Sequence, residues 1–388
     1  MLITSVDRIL TTHTGSLPRP SSLVSLYTRR WRGEEVDRAE LLAAGKAAVR
    51  SVVAKQMESG IDIANNGEQQ REAFFLHMRE RMSGFGGRWK RPPRADIEKY
   101  PAYKQLMERQ ASIREAVSVH QPPKVVGEVR YVDPSAAELE PRDFRETLQE
   151  LNVGFVSTFL TAPSPGIIAT AVKNEHYDNE ESYLTALAEA LSVEYEAIVR
   201  NGFLLQVDCP DLALERHITF SAQPERVFVD FVDRVIASIN YALRNIPRSQ
   251  VRLHVCWGNY EGPHDCDVPL EVIWPSIKQA RVGGFVLPFA NPRHAHEIRV
   301  LKEDPMEDDQ FVVAGVIDTL TNVVEHPEVV ADRLERVAQA MGDPGRVIAG
   351  TDCGFDTSAG AGRVAEDVVW AKLRAMRDGA RLASDRLL

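Results

Sequence analysis

Two residues in the stretch RLHVCWGNYEG, His254 and Cys256, have the types and the spacing of metal ligands. Side chains alternate along an extended strand, so a His-x-Cys pair places both side chains on the same face. A further cysteine, Cys353, follows in VIAGTDCGF. Imidazole nitrogen and thiolate sulfur are preferred ligands of zinc, and three protein ligands with an open fourth position are typical of a catalytic site. The pattern therefore indicates a zinc ion that takes part in chemistry, with activation of a thiol as the expected reaction.

The same cysteines also fit a plainer interpretation, as small buried residues of core strands. The chain has four cysteines, and the other two, Cys209 and Cys266, do not form a CxxC pair. So few cysteines do not suggest a disulfide framework, and they favour a reducing, cytoplasmic location in which thiols stay available for metal. Cys266, in GPHDCDVPL, is expected to be an ordinary loop thiol.

The composition is that of an ordinary globular protein, with 44% hydrophobic and 26% charged residues among 388. The formal net charge of −10 argues against nucleic acid or an anionic membrane surface as a partner. No apolar run approaches the roughly 18 residues that a membrane span requires, and the N-terminus lacks the pattern of a signal peptide. We therefore expect small-molecule partners, with no nucleic acid and no membrane; a homo-oligomer remains possible on these grounds.

The secondary-structure pattern is a repeated unit of a short apolar strand, a turn and an amphipathic helix. Strands alternating with helices predict parallel pairing, and eight such units are the number in a (β/α)8 TIM barrel. A doubly wound open sheet is the competing fold, but no GxGxxG motif follows the first strand. The predicted strands span residues 9–16, 62–68, 157–163, 203–210, 252–258, 284–290, 312–318 and 347–353, and the predicted helices span residues 38–58, 182–202, 224–245, 327–342 and 362–382.

Residues 69–143 interrupt this repeat, and we interpret them as an excursion after the second strand. The segment contains SGFGGRWKRPPRADIEKYPAY and the strand-like run KVVGEVRYV at 124–132. Its apolar periodicity is too weak for an independent domain. We therefore expect one barrel over residues 1–388, with a helical arm and a hairpin packed beside it.

Polar residues fall where the predicted strands end, and in TIM barrels the active site lies at the carboxyl ends of the strands. Six of the eight strands deliver such a group, and these candidate site residues are Gly15 and Ser16, Glu68, Asp208, His254 with Cys256, Asp318 and Cys353.

Simpler roles also fit several of these residues. Glu68 has the position of a carboxylate at the start of a helix, where the helix dipole favours it. Asp208 and Asp318 fit side chains that cap turns. His13, His264, His294 and His296 are interpreted as loop histidines.

Seven segments together resemble the cobalamin-independent methionine synthase II family, which includes the epoxyalkane:coenzyme M transferases. The resemblance extends from about residue 8 to the end of the chain and implies a TIM barrel that catalyses alkyl transfer to a thiol. The segments are TTHTGSLPRP, NNGEQQRE, QVDCPDLA, HVCWGNYEGPH, ANPRHAHE, GVIDTLTNVVEHPE and VIAGTDCGF.

The resemblance also implies roles for the candidate residues. Zinc would be held by His254, Cys256 and Cys353, and the metal would lower the pKa of the acceptor thiol. Gly15 and Ser16 would contact the carboxylate of an amino-acid thiol such as homocysteine. Glu68 and Asp208 would bind its ammonium group, because two carboxylates suit one cation. Asp318 is expected to assist catalysis because of its position at the end of the seventh predicted strand, and not because of the resemblance.

The chain departs from the family pattern at three places. Pro288 or Phe289 stands where the family has a glutamate ligand of zinc, so the site has three protein ligands or uses another acid such as Glu261. Thr319 and Leu320 follow Asp318, where the full-length synthase has a histidine. The tryptophan that would stack on folate is missing from TAPSPGIIAT. The methyl donor is thus left open between folate, a methylated corrinoid and another methylated molecule.

Three other functions are weighed against zinc-dependent methyl transfer. An epoxide-opening transferase that uses coenzyme M would need cations for the sulfonate, with Arg19 and Arg293 as candidates. A tetrapyrrole-type decarboxylase barrel would leave the His-x-Cys pair and Cys353 without a role. A barrel that only stores or senses zinc would not need polar groups at the ends of six strands.

Overall fold

The computed structural model describes residues 5–112 and 115–388, and its centre is a parallel β-sheet of seven strands. The strands lie in the order β1-β4-β6-β7-β8-β9-β10, so each later unit adds a strand beside the previous one. Their bounds are β1 Ile63–Ala64, β4 Ser157–Pro163, β6 Leu204–Cys209, β7 Val251–Val255, β8 Gly284–Pro288, β9 Phe311–Ile317 and β10 Val347–Thr351.

An eighth segment, at Thr11 and Thr12, joins the two edges of this sheet. Thr11 forms a parallel bridge with Ala349 of β10, and Thr12 forms one with Ile63 of β1. The predicted (β/α)8 barrel is therefore confirmed. The first two predicted strands are much shorter than expected, because the chain at each site residue leaves the ladder: Gly15 has φ +147° and Gly67 has φ +65°.

Helices surround the barrel, and the five predicted helices are present within a few residues of their expected bounds. Capping accounts for several ends; α2, for example, begins after Asp37, whose carboxylate accepts the Ala39 N–H, and ends at Gly60 in the left-handed conformation. The bounds are α1 Ser21–Trp31, α2 Arg38–Ser59, α5 Pro134–Leu151, α6 Pro165–Ala171, α7 Glu180–Arg200, α8 Glu225–Ala242, α9 Leu270–Ile277, α10 Ile298–Glu303, α11 Pro327–Met341 and α12 Glu366–Leu387.

The segment between β1 and α5, residues 65–133, packs beside the barrel, and we call it the wall segment. It contains α3 Ala95–Glu98 and α4 Pro101–Ser112, and two short strands, β2 Phe85–Gly86 and β3 Lys124–Val125, pair antiparallel. β3 also pairs parallel with β5, Lys173–Asn174. The strand-like run 124–132 forms two strand residues, Lys124 and Val125, and one isolated bridge, from Tyr131 to Met82. Between them Gly84 and Gly127 approach closely: a Cβ on Gly84 would lie 2.5 Å from the Gly127 carbonyl oxygen.

The boundary that we predicted at residue 143 lies inside α5, a helix that packs against α2 and α7 of the outer ring. A buried ion-pair network joins this helix to the wall segment. Arg71 and Arg81 both donate to the carboxylate of Glu140, at 2.9 Å and 3.0 Å, and Arg81 also pairs with Glu194 of α7.

Apolar side chains form two separate clusters, one outside the barrel strands and one inside the barrel. The main core lies between the strands and the surrounding helices, whereas a smaller cluster is formed by side chains of seven barrel segments and fills the barrel itself. Within the described parts of the chain, no helix is long and apolar enough to cross a membrane. The interior cluster comprises Leu10, Ile63, Phe159, Leu204, Val286, Phe311, Val313 and Ile348.

Candidate metal centre and substrate cavity

The three predicted metal ligands meet at the carboxyl end of the barrel. His254 lies in β7, Cys256 follows directly after that strand, and Cys353 follows β10. Their residues are 4%, 5% and 8% exposed. All three ligand atoms lie within 4.8 Å of one another, and we call these residues the ligand triad.

The donor atoms of the ligand triad fit a tetrahedral zinc ion. The two sulfur atoms of Cys256 and Cys353 are 3.7 Å apart. Two sulfurs each bound about 2.3 Å from one tetrahedral zinc would be separated by about 3.8 Å. His254 Nε2 is buried without a hydrogen-bond partner among the described residues. A buried, unpaired imidazole nitrogen beside two sulfurs at this spacing is the donor set that zinc requires.

A hydrogen-bond chain fixes the orientation of His254. Its Nδ1 lies 3.0 Å from Asp208 Oδ1, and Gln206 Nε2 donates to the same oxygen at 2.8 Å. Arg252 Nε donates in turn to Gln206 Oε1 at 2.8 Å. The sheet register explains this chain, because β6 and β7 pair Gln206 with Arg252 and Asp208 with His254. An Nδ1–H bonded to a carboxylate leaves Nε2 as the free nitrogen, the arrangement usual for metal-bound histidine.

The electrostatics of the ligand triad favour a thiolate. A hydrogen bond from Cys353, together with His254, holds the pKa of Cys256 well below its ordinary value despite burial, and the Gly258 N–H lies 3.1 Å from its sulfur. The same contact and burial raise the pKa of Cys353. Burial would lower the pKa of His254, but Asp208 and Cys256 outweigh it and raise the pKa to about 10.

Glu68 projects into the barrel from a turn in the left-handed conformation. Its φ is +55°, which is uncommon for a residue with a side chain and is typical of functional sites. Two asparagine side chains hold the turn, because Asn65 Oδ1 accepts the Gly67 N–H at 2.7 Å and Asn66 Oδ1 accepts the Glu68 N–H at 3.0 Å. The helix-start role considered for Glu68 does not apply, since no helix begins there.

The carboxylate of Glu68 has one satisfied and one free oxygen. Oε1 accepts the hydroxyl of Thr161 at 2.9 Å, and Arg71 donates to that same hydroxyl oxygen at 2.9 Å. Oε2 is buried with no hydrogen-bond partner in the described structure. Burial and, secondly, the nearby Asp208 raise the pKa of Glu68 to about 7. The free oxygen is thus available to a cationic group in the cavity.

Gly15 and Ser16 have different positions relative to the cavity. A Cβ on Gly15 would lie 2.7 Å from Glu68 Oε1, and its N–H already lies 3.3 Å from His13 Nδ1. Gly15 therefore leaves room for the Glu68 carboxylate, whereas Ser16 lines the cavity directly. Ser16 Oγ accepts the Asp356 N–H at 3.3 Å.

Asp318 lies behind the ligand triad and outside the main cavity. It borders a recess of about 30 Å³ together with Cys256 and Cys353. Its carboxylate accepts the N–H groups of Leu320 at 3.1 Å and Thr321 at 3.0 Å. The turn-capping role that we considered for Asp318 is therefore present in the structure.

No acid replaces the missing glutamate in the described part of the site. Pro288 ends β8, and Phe289 is 1% exposed. The Phe289 N–H instead donates to Asp352 at 3.0 Å, and burial raises the pKa of that carboxyl to about 7. Glu261 has a side chain that is 63% exposed and pairs with Arg363. Among the described residues, the ligand triad is thus the candidate set of protein ligands at this end of the barrel.

A cavity of about 400 Å³ opens onto the ligand triad, Glu68 and Asp208. Three arginines that sequence reasoning missed also line it: Arg91 and Arg94 from the wall segment, and Arg363 after β10. They lie in segments without a helical or strand period, so no periodic pattern identified them in advance. Arg19 and Arg293, the cations considered for a sulfonate, are elsewhere: Arg19 pairs with Asp356, and Arg293 is exposed.

A second group of potential ligands consists of His264, Asp267 and His294. Its two histidines border the same small recess as Cys256 and Cys353. We call these three residues the histidine cluster. Asp267 Oδ2 lies 2.9 Å from His264 Nδ1 and 2.8 Å from His294 Nε2. The two histidines of this cluster, which we assigned to loops, are thus buried and paired with a carboxylate.

Comparison with known proteins identifies relatives over nearly the whole chain. Residues 9–382 match the family model for the catalytic domain of cobalamin-independent synthase. Among characterised proteins, the methionine synthase of Sulfolobus acidocaldarius is 25% identical over 349 residues, which is 89% of this chain and 85% of the relative. The methionine synthase of Saccharolobus solfataricus is 22% identical and covers 97% of this chain and 95% of its own.

Two solved structures share the fold. One is a B12-independent methionine synthase from Shewanella sp. W3-18-1 in complex with selenomethionine, with a TM-score of 0.72, 21% identity and 98% of both chains covered. The other is a vitamin-B12-independent methionine synthase, putative by its own description, from Listeria monocytogenes, with a TM-score of 0.65, 19% identity and coverage of 96% of this chain and 98% of the other. At these identities the two structures support the barrel assignment.

Proposed function

Because the chain belongs to the family of cobalamin-independent synthase catalytic domains, we propose that it is a zinc-dependent methyltransferase whose acceptor is the thiol of homocysteine. One observation carries this proposal. The unpaired His254 Nε2 and two cysteine sulfurs converge at one end of a cavity whose wall also presents a buried carboxylate oxygen of Glu68 without a partner. The same cavity thus offers a place for a thiol and for an ammonium group.

The ligand triad would hold the metal through His254 Nε2, Cys256 Sγ and Cys353 Sγ. Bound zinc supplies a Lewis acid that keeps an acceptor thiol in its nucleophilic thiolate form at neutral pH. Asp208 keeps the imidazole in the correct orientation, and the Gly258 N–H stabilises the negative charge on Cys256. Only three protein ligands are present, which leaves the fourth position for substrate.

Glu68 and Asp208 would orient homocysteine by binding its ammonium group. Both carboxylates line the cavity, and both are less than 10% exposed, at 2% and 7%. Attraction to a cation is strong where water is largely excluded. Ser16 would contact the amino-acid carboxylate through its hydroxyl, while Gly15 contributes the space that the Glu68 side chain occupies. Fixing the acceptor in this way removes much of the entropic cost of alkyl transfer.

Asp318 would assist by positioning loops and not by direct contact with substrate. The turn that it caps carries Thr319, whose hydroxyl lies 3.2 Å from Asn259 Oδ1. Asn259 Nδ2 donates to the Gly354 carbonyl oxygen at 2.8 Å. These contacts connect the loops that follow β7, β9 and β10, on which the two cysteines lie.

The wall segment would act as part of the active site and not as a separate domain. Arg91, Arg94, Met107 and Val117 from the predicted excursion 69–143 line the cavity. Their removal would open the cavity to solvent.

Zinc-edge X-ray absorption of the purified protein tests the proposal. We expect about one zinc per chain, coordinated by two sulfurs and one nitrogen, and a third sulfur neighbour after homocysteine is added. Absence of zinc, or zinc that gains no sulfur from homocysteine, would contradict the proposal. If only 2-mercaptoethanesulfonate adds a sulfur, the epoxide-opening transferase becomes the better assignment.

The variant Glu68→Gln tests the acceptor site separately. We expect homocysteine to bind about 10- to 100-fold more weakly, because one charged hydrogen bond is lost, while zinc content stays unchanged. Glu303→Gln is the matched control, since that side chain is 59% exposed on the surface. Unchanged homocysteine affinity in Glu68→Gln would remove Glu68 from the acceptor site.

A further inference from the structure

The charges that line the main cavity differ between its two ends. The carboxylates Glu68 and Asp208 lie beside the ligand triad, where the residues are at most 8% exposed. The three arginines that line the cavity lie on segments closer to solvent, together with exposed or half-buried residues such as Ala111 and Ala116. The cavity therefore has an acidic inner part and a cationic outer part.

The three arginines differ in how far their charge is neutralised. Arg91 pairs with Glu215, a carboxylate that is fully buried, and Arg363 pairs with Glu261 at 3.2 Å. Arg94 has no ion pair or hydrogen bond with any side chain in the described ranges, and its Nε is buried without a partner. Its guanidinium instead lies 4.2 Å from the centre of the Tyr260 ring.

The position of Arg94 is fixed by the groups beneath it. The Tyr260 hydroxyl donates to Asp96 Oδ2 at 2.5 Å, and the His264 N–H donates to the same oxygen at 3.1 Å. Asp96, the nearest acid in sequence, is thus occupied by other donors. The ring holds the guanidinium group in place, as cation–π pairs do, while its N–H groups remain available.

An unpaired cation in a shielded cavity is costly unless a ligand neutralises it. Burial lowers the pKa of the Arg94 guanidinium, with neighbouring Arg91 adding to the effect. A planar guanidinium is suited to bind two oxygens of a carboxylate, phosphate or sulfonate.

We propose that the outer part of the cavity binds an anionic group of the alkyl donor, with Arg94 as its principal partner. This inference rests on the proposed function for the existence of a donor. The amino acid acceptor has its own charged partners at the inner end, so the outer cation is left for the second substrate. Apolar side chains of the same cavity would contact the rest of that molecule: Phe74, Phe75, Val117, Val119, Ile167 and Leu214.

Two fluorescent probes of nearly the same shape test this proposal without requiring catalysis. 8-Anilinonaphthalene-1-sulfonate carries an anion, whereas N-phenyl-1-naphthylamine lacks it. We expect the zinc-loaded wild type to bind the sulfonate about 10- to 100-fold more tightly than the neutral probe, as one charged hydrogen bond predicts. Arg94→Gln should lose this preference and keep its affinity for the neutral probe, and Arg94→Lys should retain part of it.

The matched control is Arg293→Gln, because Arg293 is exposed and does not line the cavity. It should bind both probes as the wild type does. Should Arg94→Gln fail to fold, the wild type alone decides the question: inorganic sulfate must displace the anionic probe and leave the neutral probe bound. Equal affinities for the two probes, or a preference that survives in Arg94→Gln, would overturn the inference.

A second set of measurements identifies which substrate carries the anion. If it belongs to the donor, homocysteine and the anionic probe bind at the same time, and Arg94→Gln does not change homocysteine affinity. If Arg94→Gln instead weakens 2-mercaptoethanesulfonate binding, the anion belongs to the acceptor thiol and the inference is wrong. The probe measurements are made on both zinc-loaded and zinc-free protein, so failure of the zinc–homocysteine test and failure of this one are separate results.

Discussion

The ligand triad and the histidine cluster lie side by side at the carboxyl end of the barrel, and by distance alone both could bind a metal. In each, three candidate ligand atoms lie within 4.8 Å of one another. The two cysteines of the ligand triad and the two histidines of the histidine cluster border the same recess of about 30 Å³. The two groups differ in whether their imidazole nitrogens already have hydrogen-bond partners.

In the histidine cluster every imidazole nitrogen already faces an acceptor. His264 reaches Asp267 with Nδ1 and the Tyr260 carbonyl oxygen with Nε2, at 2.9 Å and 3.0 Å. His294 reaches Asp267 with Nε2 and Glu297 with Nδ1, at 2.8 Å and 2.9 Å. A neutral imidazole has one donor and one acceptor nitrogen, so a ring that faces two acceptors uses both nitrogens as donors. A metal could bind these histidines only by displacing one of the existing hydrogen bonds.

The ligand triad is arranged in the opposite way. His254 satisfies only Nδ1, through Asp208, and keeps Nε2 unpaired beside two sulfurs. Short distances therefore define a possible set of ligands, whereas a ligand atom without a hydrogen-bond partner is the one that is free to bind a metal. The histidine cluster is accordingly an ion-pair network between loops, and the ligand triad is the group that we propose as the metal centre.

The largest effect is expected when a sulfur is removed from the ligand triad. Cys353→Ala should lose stoichiometric zinc, because two protein ligands do not hold zinc tightly, while the fold remains. Cys266→Ala is the matched control, a cysteine outside both ligand groups that should keep about one zinc per chain. Metal analysis after gel filtration and circular dichroism give the two readouts. Tight zinc retained in Cys353→Ala would refute the ligand assignment.

A second, large effect on stability is expected in the histidine cluster. Asp267→Asn leaves His264 and His294 without their shared carboxylate, and loss of one partner from a buried ion pair costs about 3–5 kcal/mol. Zinc stoichiometry should not change. Urea unfolding measures the difference, with Asp309→Asn as the control because its side chain is 64% exposed. If Asp267→Asn also lost zinc, the two clusters would not be independent.

The grouping of the ligand triad could be predicted from the sequence because simple geometric rules determine where these residues lie. Alternation along a strand places His254 and Cys256 on one face, and a parallel barrel gathers the ends of its strands at one rim. The same rules bring Glu68, Asp208 and Cys353 to the cavity. Gln206 could have been found as well, since it lies two residues before Asp208 on the same strand face.

The remaining groups depend on contacts between distant segments that have no period. Arg94 owes its place to Tyr260, which in turn depends on Asp96, a hydrogen bond between residues 164 positions apart. His294 meets Asp267 across 27 residues of irregular chain. Asp318 follows the end of its strand, as predicted, but it lies beyond the two cysteines and outside the main cavity. The position at a strand end predicts that a residue lies at this end of the barrel, but not the direction in which its side chain points.

The histidine cluster also predicts a pH dependence of stability. Burial alone would lower the pKa of His294, but hydrogen bonds to Asp267 and Glu297 raise it to about 9, above the ordinary 6.5. A group with a raised pKa stabilises the fold fully below its unfolded pKa, and this contribution disappears as pH rises through the folded pKa. It amounts to at most about 3 kcal/mol for His294.

The unfolding free energy of the wild type should therefore fall between pH 6.5 and 9 relative to His294→Gln, measured by urea unfolding at each pH. The charged groups that face His294 are Asp267 and Glu297, with His264 sharing Asp267. His296→Gln, an exposed neighbour on the same loop, is the control and should follow the wild type. Parallel pH profiles for His294→Gln and the wild type would mean that the imidazole is neutral and retains a lone pair.

The smallest effect is expected on zinc affinity when Asp208, the carboxylate that orients His254, loses its charge. Asp208→Asn keeps an acceptor oxygen near His254 but removes its charge, and loss of such a partner typically lowers metal affinity about 10- to 100-fold without abolishing binding. Competition with a zinc chelator measures this change, and Asp267→Asn should show the wild-type affinity. Asp208 faces one histidine and leaves its Nε2 free, which strengthens that nitrogen as a ligand. Asp267 is shared by two histidines whose nitrogens all face acceptors, so no free ligand atom results. If Asp208→Asn bound zinc as the wild type does, Asp208 would act on the substrate alone, and the orientation of His254 would have to come from Cys256 and the barrel wall.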